Sequence, residues 1–264
     1  MSETISLTFS DRGENHAGMQ MVGHMVDIGS GFNLEDLISI NQKFVDLGYT
    51  ANTYNLNDLY DELPDSVPNA SVLVIKNGLK YFLDKIGSGD QDLLNEMTSF
   101  DWDNKYYDTR RSRVLNKQAR YNVCFGDVGQ DPDYQNKKGT VISYNQASLL
   151  GKIRSELPKM LGPKANNLVC EGNRYYNLSK CGIGWHGDSE RRKVIAFRLG
   201  GTMNLKYNWF KNSKSIGNSL TLKLDNGDFY IMSEKAVGTD WKFLSKYTLR
   251  HCAGTDDSKY IKLN

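Results

Sequence analysis

The chain has 264 residues, of which 39% are hydrophobic and 24% charged, and a net charge of only +2. That is enough apolar material for one large core, and a mean hydropathy of −0.55 with no apolar run of eighteen residues predicts a protein that neither spans a membrane nor carries a secretory leader. Cys124, Cys170, Cys181 and Cys252 are far apart and form no C-x-x-C pair, which argues against a zinc ribbon or redox pair and for reduced thiols in the cytoplasm.

The small net charge hides a division along the chain. Residues 1–100 hold five Lys and Arg against fifteen Asp and Glu, a net of −10, so residues 101–264 carry +12. This predicts an acidic N-terminal α/β extension or subdomain over 1–100, packed on a basic domain over 101–264. The basic part suits an anionic substrate; two solvated faces attracting one another explain the asymmetry equally well.

In chain order, Phe32, Leu34, Leu37, Ile38, Phe44 and Val45 recur at helical spacing, with Asn33 as cap ahead of Glu35 and Asp36. A short helix around Leu56–Leu63 follows, then a loop with Pro64 and Pro68. Ser71–Ile75, Asn77-Gly78 and Leu79–Leu83 have the form of a hairpin with a tight turn. Between 101 and 125, Lys105, Arg110, Arg111, Arg113, Lys117 and Arg120 alternate with Trp102, Tyr106, Tyr107 and Tyr121, a mixture that fits phosphates and unstacked bases. From Leu168 onward, short runs rich in β-branched and aromatic residues are separated by Gly, Asn and Asp, which predicts a sandwich, jelly roll or barrel.

Two of the four histidines, His186 and His251, bracket this strand-rich half. His186 and Asp188, two apart, occupy same-side positions at a strand end, and His251 follows Asp188 by 63 residues, about right for four further strands. Two imidazoles and one carboxylate on one face are the donor set of the facial triad that binds non-haem iron(II) with open positions. His16 is read as a structural residue rather than part of a lid, whereas the long segment Ser233–Lys242 has the form of an active-site loop whose Trp241 and Lys242 could touch substrate.

The motifs N-R-Y-Y at 173–176, I-G-W-H-G-D-S-E at 183–190, V-I-A-F-R-L-G at 194–200, L-x-L-x-x-G-D-F-Y-I-M at 222–232 and R-H-C-A-G at 250–254 occur in that order. Together they resemble the Fe(II)- and 2-oxoglutarate-dependent dioxygenases, AlkB-like group, over about Leu168–Lys262. The resemblance implies an α+β protein with a double-stranded β-helix (jelly-roll) core and N-terminal helices and a hairpin around it. It implies His186, Asp188 and His251 as iron ligands, and Asn173 with Tyr175 or Tyr176 as contacts of 2-oxoglutarate. Trp185 would be a wall of the site; Glu190, Arg191, Trp241 and Lys242 are candidate substrate residues. The family's C-terminal arginine for the remote carboxylate of 2-oxoglutarate has no counterpart, so Lys259 or Lys262 stands first for that role and Arg198 second.

The expected activity is hydroxylation or oxidative demethylation using Fe(II), 2-oxoglutarate and O2, with release of succinate and CO2. The expected substrate is a base of single-stranded or flipped-base nucleic acid; the alternatives are a protein side chain, a small metabolite or, as a different class, a non-catalytic jelly-roll binding module. A monomer with no membrane partner is expected.

Overall fold

The computed structural model describes residues 2–263. The acidic segment supplies β1 (Thr4–Ser10), a ribbon of β2 (Arg12–Glu14) and β3 (Met21–Gly23), helix α1 (Leu34–Asp46), β4 (Ala51–Asn55), β5 (Ser71–Ile75), and helices α2 (Leu79–Ile86) and α3 (Asp90–Ser99). Next come β6 (Lys105–Asp108) and β7 (Arg113–Asn116), a second ribbon, then β8 (Tyr121–Gly126), β9 (Val141–Ser143) and helix α4 (Ser148–Leu161). The last third is β10 (Val169–Tyr175), β11 (Ile183–His186), β12 (Val194–Gly200), β13 (Met203–Lys211), β14 (Lys214–Leu224), β15 (Phe229–Met232), the short α5 (Glu234–Val237) and β16 (Thr248–Gly254).

The class is α+β, as expected. An eight-stranded sheet runs β4-β5-β15-β12-β1-β10-β8-β9, antiparallel except for the β8–β9 pair, and a four-stranded sheet runs β11-β16-β13-β14. Alternation along β1 shows how the layers form. Ile5, Leu7 and Phe9 join Phe44, Phe82, Leu150 and Leu157 in a core under the helices, while Thr4, Ser6 and Thr8 point to the other face. Across that other face Val194, Ala196 and Met232 meet Leu205, Tyr207 and Trp209 of the small sheet, so the two sheets enclose a second core.

Residues 1–100 are therefore not laid over a finished domain. β1 lies between β12 and β10, and β4 and β5 extend the same sheet, so both segments share one sheet and one core.

Helix α1 begins where the sequence places it: Asn33 Oδ1 accepts from the Asp36 backbone N–H at 2.9 Å and Asp36 Oδ2 accepts from Asn33 N–H at 2.8 Å, a reciprocal cap. The expected hairpin over 71–83 is corrected. Ser71–Ile75 is a strand, but Asn77 and Gly78 lead into helix α2, and a side chain at Gly78 would meet Phe229 at 2.5 Å. Leu79, Phe82 and Leu83, spaced three and one apart, bury one helical face that a strand could not present. The helix expected at 56–63 is a single 3-10 turn over Leu56–Leu59. Helices α3 and α4 escaped the sequence reading, although Leu150, Ile153 and Leu157 recur at helical spacing. No helix among the described residues is long and apolar enough to cross a membrane.

Candidate metal centre

Strand register places the candidate residues. On the main sheet, Arg198 of β12 stands opposite Ser6 of β1, Ser6 opposite Asn173 of β10, and Asn173 opposite Asn122 of β8. The rows on either side are Ala196, Thr8 and Glu171, and Gly200, Thr4 and Tyr175. Because side chains alternate, all three rows point the same way, toward the small sheet, where His186 of β11 stands opposite His251 of β16. Between the sheets is a pocket of about 500 Å³, ordinary for a small-molecule site.

In this pocket the nitrogens of His186 and His251 and an oxygen of Asp188 lie within 4.8 Å of one another. Oδ1 of Asp188 is 3.4 Å from His186 Nε2 and 3.6 Å from His251 Nε2. His186 Nδ1 is 2.7 Å from the Gly184 carbonyl. A carbonyl only accepts, so Nδ1 holds the proton and Nε2 presents its lone pair to the centre. Burial lowers the pKa of His251, which favours the neutral, ligating ring. Burial works to raise the Asp188 carboxyl, but the neighbouring Arg191 guanidinium outweighs it and holds it well below the usual carboxylate range. Two imidazoles and an ionised carboxylate converging from one side fit a divalent first-row metal ion.

The loop carrying Asp188 passes under the α5 turn. Asp188 N–H donates to the Val237 carbonyl at 2.9 Å, and a side chain at Gly187 would lie 2.1 Å from the Gly238 carbonyl oxygen, so only glycine allows this approach. Gly187 serves close backbone contact, whereas a side chain at Gly184 would meet nothing within 4 Å.

The other expected residues divide sharply. Asn173 lines the pocket with its amide engaged: Oδ1 accepts from Arg120 Nε and Asn122 Nδ2, each at 2.6 Å, and Nδ2 donates to Glu171. Tyr175 is buried and lines the pocket; Tyr176 points away, donating to the Gln118 carbonyl and stacked on Tyr121. Lys259 and Lys262 are exposed and do not line the pocket, and the Lys262 carbonyl accepts from Trp185 Nε1. Arg198 is 2% exposed, lines the pocket, and its Nε and Nη1 have no hydrogen-bond partner among the described residues. Of these three cations, the buried guanidinium reaches the pocket and the lysines do not.

Trp185, Glu190, Trp241 and Lys242 line the pocket. Arg191 does too, but it is no free cation for a substrate, because Glu171 and Glu190 both accept from its guanidinium. His16, read from the sequence as structural, also reaches the pocket, and its ring stacks on Tyr106 with centroids 3.7 Å apart. Glu14, which the sequence did not flag, sits nearby with its pKa raised to about 7 by burial and by Glu190 and Glu171. Its only sequence signal was its place two residues before His16. Of the basic aromatic segment, Trp102 is core and Lys117 is buried against Asn15, while Lys105, Arg110, Arg111 and Arg113 are exposed on the β6–β7 ribbon.

Fold and site define an α+β protein with two facing sheets and a His-Asp-His group at metal-binding distance in the pocket between them. It belongs to one family with uncharacterized protein R156 of Acanthamoeba polyphaga mimivirus, to which it is 43% identical over 265 residues, with 99% of each chain covered. No family model matches the chain.

Proposed function

We propose that this protein is a non-haem iron(II), 2-oxoglutarate-dependent dioxygenase, AlkB-like, with the two facing sheets as its jelly-roll core. One observation carries the reading: the His186, Asp188 and His251 group shares a pocket with a buried guanidinium, Arg198, whose Nε and Nη1 have no hydrogen-bond partner among the described residues. A buried, unpaired cation costs several kcal/mol, on the order of the penalty for any unsatisfied charge, and a bound dicarboxylate would offset it.

His186, Asp188 and His251 would hold the iron, and Arg198 would receive the remote carboxylate of 2-oxoglutarate through its planar fork. Iron with 2-oxoglutarate and O2 supplies oxidation of a C–H bond, with release of succinate and CO2. The chain's own residues orient and shield. The Gly184 carbonyl fixes the His186 tautomer. Ser6, Thr8 and Tyr175 line the pocket beside Arg198, and Asn173, braced by Arg120 and Asn122, keeps the strand face rigid. Trp185 and Trp241 wall the pocket and limit access of water.

The proposed substrate is a nucleic-acid base. The β6–β7 ribbon presents four exposed cations beside Tyr106 and Tyr107, and the His16–Tyr106 stack joins it to the pocket. Across the mouth, beyond Trp241, the exposed Lys242, Phe243 and Lys246 form a second cationic and aromatic surface. Glu14 and Glu190 on the pocket wall favour the second reading, the same chemistry on a protein side chain or small metabolite bearing an ammonium group. Succinate release in the presence of iron(II), 2-oxoglutarate and methylated oligonucleotides, methylated peptides or free nucleotides separates these readings. Stimulation by oligonucleotides is expected, and no succinate under any condition removes the enzyme reading.

A further inference from the structure

We propose that Arg191 is a positioning residue for the metal carboxylate: it draws Oδ2 of Asp188 away from the centre, so that Oδ1 alone stays aimed between His186 and His251. The inference rests on the metal-centre reading above.

The two oxygens of Asp188 have different surroundings. Oδ1 is the atom near both imidazoles, at 3.4 and 3.6 Å, and Oδ2 is 3.8 Å from Arg191 Nε. Arg191 is only 3% exposed and is itself fixed from two sides. Glu171 Oε2 of β10 and Glu190 Oε1 both accept from its Nη2, and Glu190 Oε1 also accepts from Nε at 3.1 Å. Glu171 is held in turn, because its Oε1 accepts from Asn173 Nδ2 at 3.0 Å.

The backbone of this loop is anchored as well. Arg12 Nε donates to the Glu190 carbonyl at 2.7 Å, and Asp11 Oδ1 accepts from the N–H groups of Arg192 and Lys193, each at 3.0 Å. A buried guanidinium among carboxylates is weak evidence for stability, because well-packed apolar residues usually do as well. A role toward Asp188 explains why the charge is kept beside the centre. Without it, the carboxylate can turn about its terminal bond and offer both oxygens.

The probe is cobalt(II), titrated calorimetrically into the metal-free full-length chain, with the visible spectrum and the metal-free Tm recorded alongside. Arg191→Gln leaves Glu171 buried without its partner, so the double variant Glu171→Gln/Arg191→Gln, which restores a neutral pair, is measured beside it. Cobalt(II) affinity falls about tenfold or more in both variants, with a changed visible band, while the double variant keeps its metal-free Tm within a few degrees. Wild-type affinity and spectrum in the double variant overturn the proposal, since the loss in the single variant would then be structural. A wild-type chain that binds no cobalt(II) overturns the metal reading itself, an outcome distinct from the first.

Discussion

Arg198 stands directly across from Ser6 on the neighbouring strand, and its Nε and Nη1 are buried without a partner among the described residues. The position puts a buried cation with free hydrogen-bonding capacity on the pocket wall. Replacing it by methionine keeps the bulk and removes the charge. Calorimetry with 2-oxoglutarate on the manganese(II)-loaded chain should show affinity reduced by about 10- to 100-fold, the worth of hydrogen bonds to a charged group. Lys259→Ala and Lys262→Ala, both on the exposed C-terminal turn, should change it less than about twofold. The reverse pattern would return the role to the lysines.

Gly187 and the Gly238 carbonyl approach too closely for any side chain to separate them. Gly187→Ala should push the α5 turn off the Asp188 loop and break the Asp188 N–H to Val237 contact. The expected result is loss of the metal-induced rise in Tm, with a far-UV spectrum that stays native. Normal metal binding by Gly187→Ala would show that the loop moves without cost to the carboxylate.

Glu14 gives the pocket a pH dependence of stability. Its pKa rises from 4.5 to about 7 on folding, first through burial and then through the nearby Glu190 and Glu171. A raised acid stabilises the fold fully below pH 4.5, and that contribution is lost as pH climbs through 7. Relative to wild type, Glu14→Gln should therefore gain Tm progressively between pH 4.5 and 7 and hold the gain above it, worth about 1–2 kcal/mol after solvent screening. His16, lowered to about 4 by burial and by Lys117, acts with the opposite sign over pH 4 to 6.5, so the difference between variant and wild type is the quantity to follow. A pH-independent difference would remove the account.

The exposed arginines of the β6–β7 ribbon should govern binding of nucleic acid. Changing Arg110, Arg111 and Arg113 to serine should weaken single-stranded oligonucleotide binding and reduce the slope of log K against log salt by about 2, as expected for three lost phosphate contacts. Fluorescence anisotropy across a salt series gives both numbers. Unchanged affinity and slope would favour the reading with a peptide or metabolite.

The sequence made the His186, Asp188 and His251 group legible because its signal is chemical. Few residue types ligate a divalent metal ion, and a histidine and an aspartate two apart need only one strand end. The strand-rich last third was legible from short apolar runs broken by Gly and Asn. Helix α2 was not, because Asn77-Gly78 imitates a hairpin turn and only the burial of Phe82 and Leu83 shows the helical period. Arg198 was ranked second because an arginine inside a strand usually faces water. Nothing in the local text says that both faces of β12 are covered, one by helices and the other by the small sheet. For Arg191, one of the two carboxylates that hold it, Glu190, is adjacent in the sequence, but the other, Glu171, lies twenty residues upstream on β10.

Strand β1 gives the pocket an order of assembly. Its two partners in the sheet, β10 and β12, lie about 165 and 190 residues further along the chain. The strand that carries Ser6 and Thr8 is thus made early and must wait, unpaired, while most of the chain is synthesised. Long-range pairing of this kind is slow, and an unpaired apolar strand is prone to aggregate. The pocket closes only when the last third of the chain has arrived to flank it. A nascent chain interrupted before β12 would hold every helix of the outer layer and no place for a metal ion.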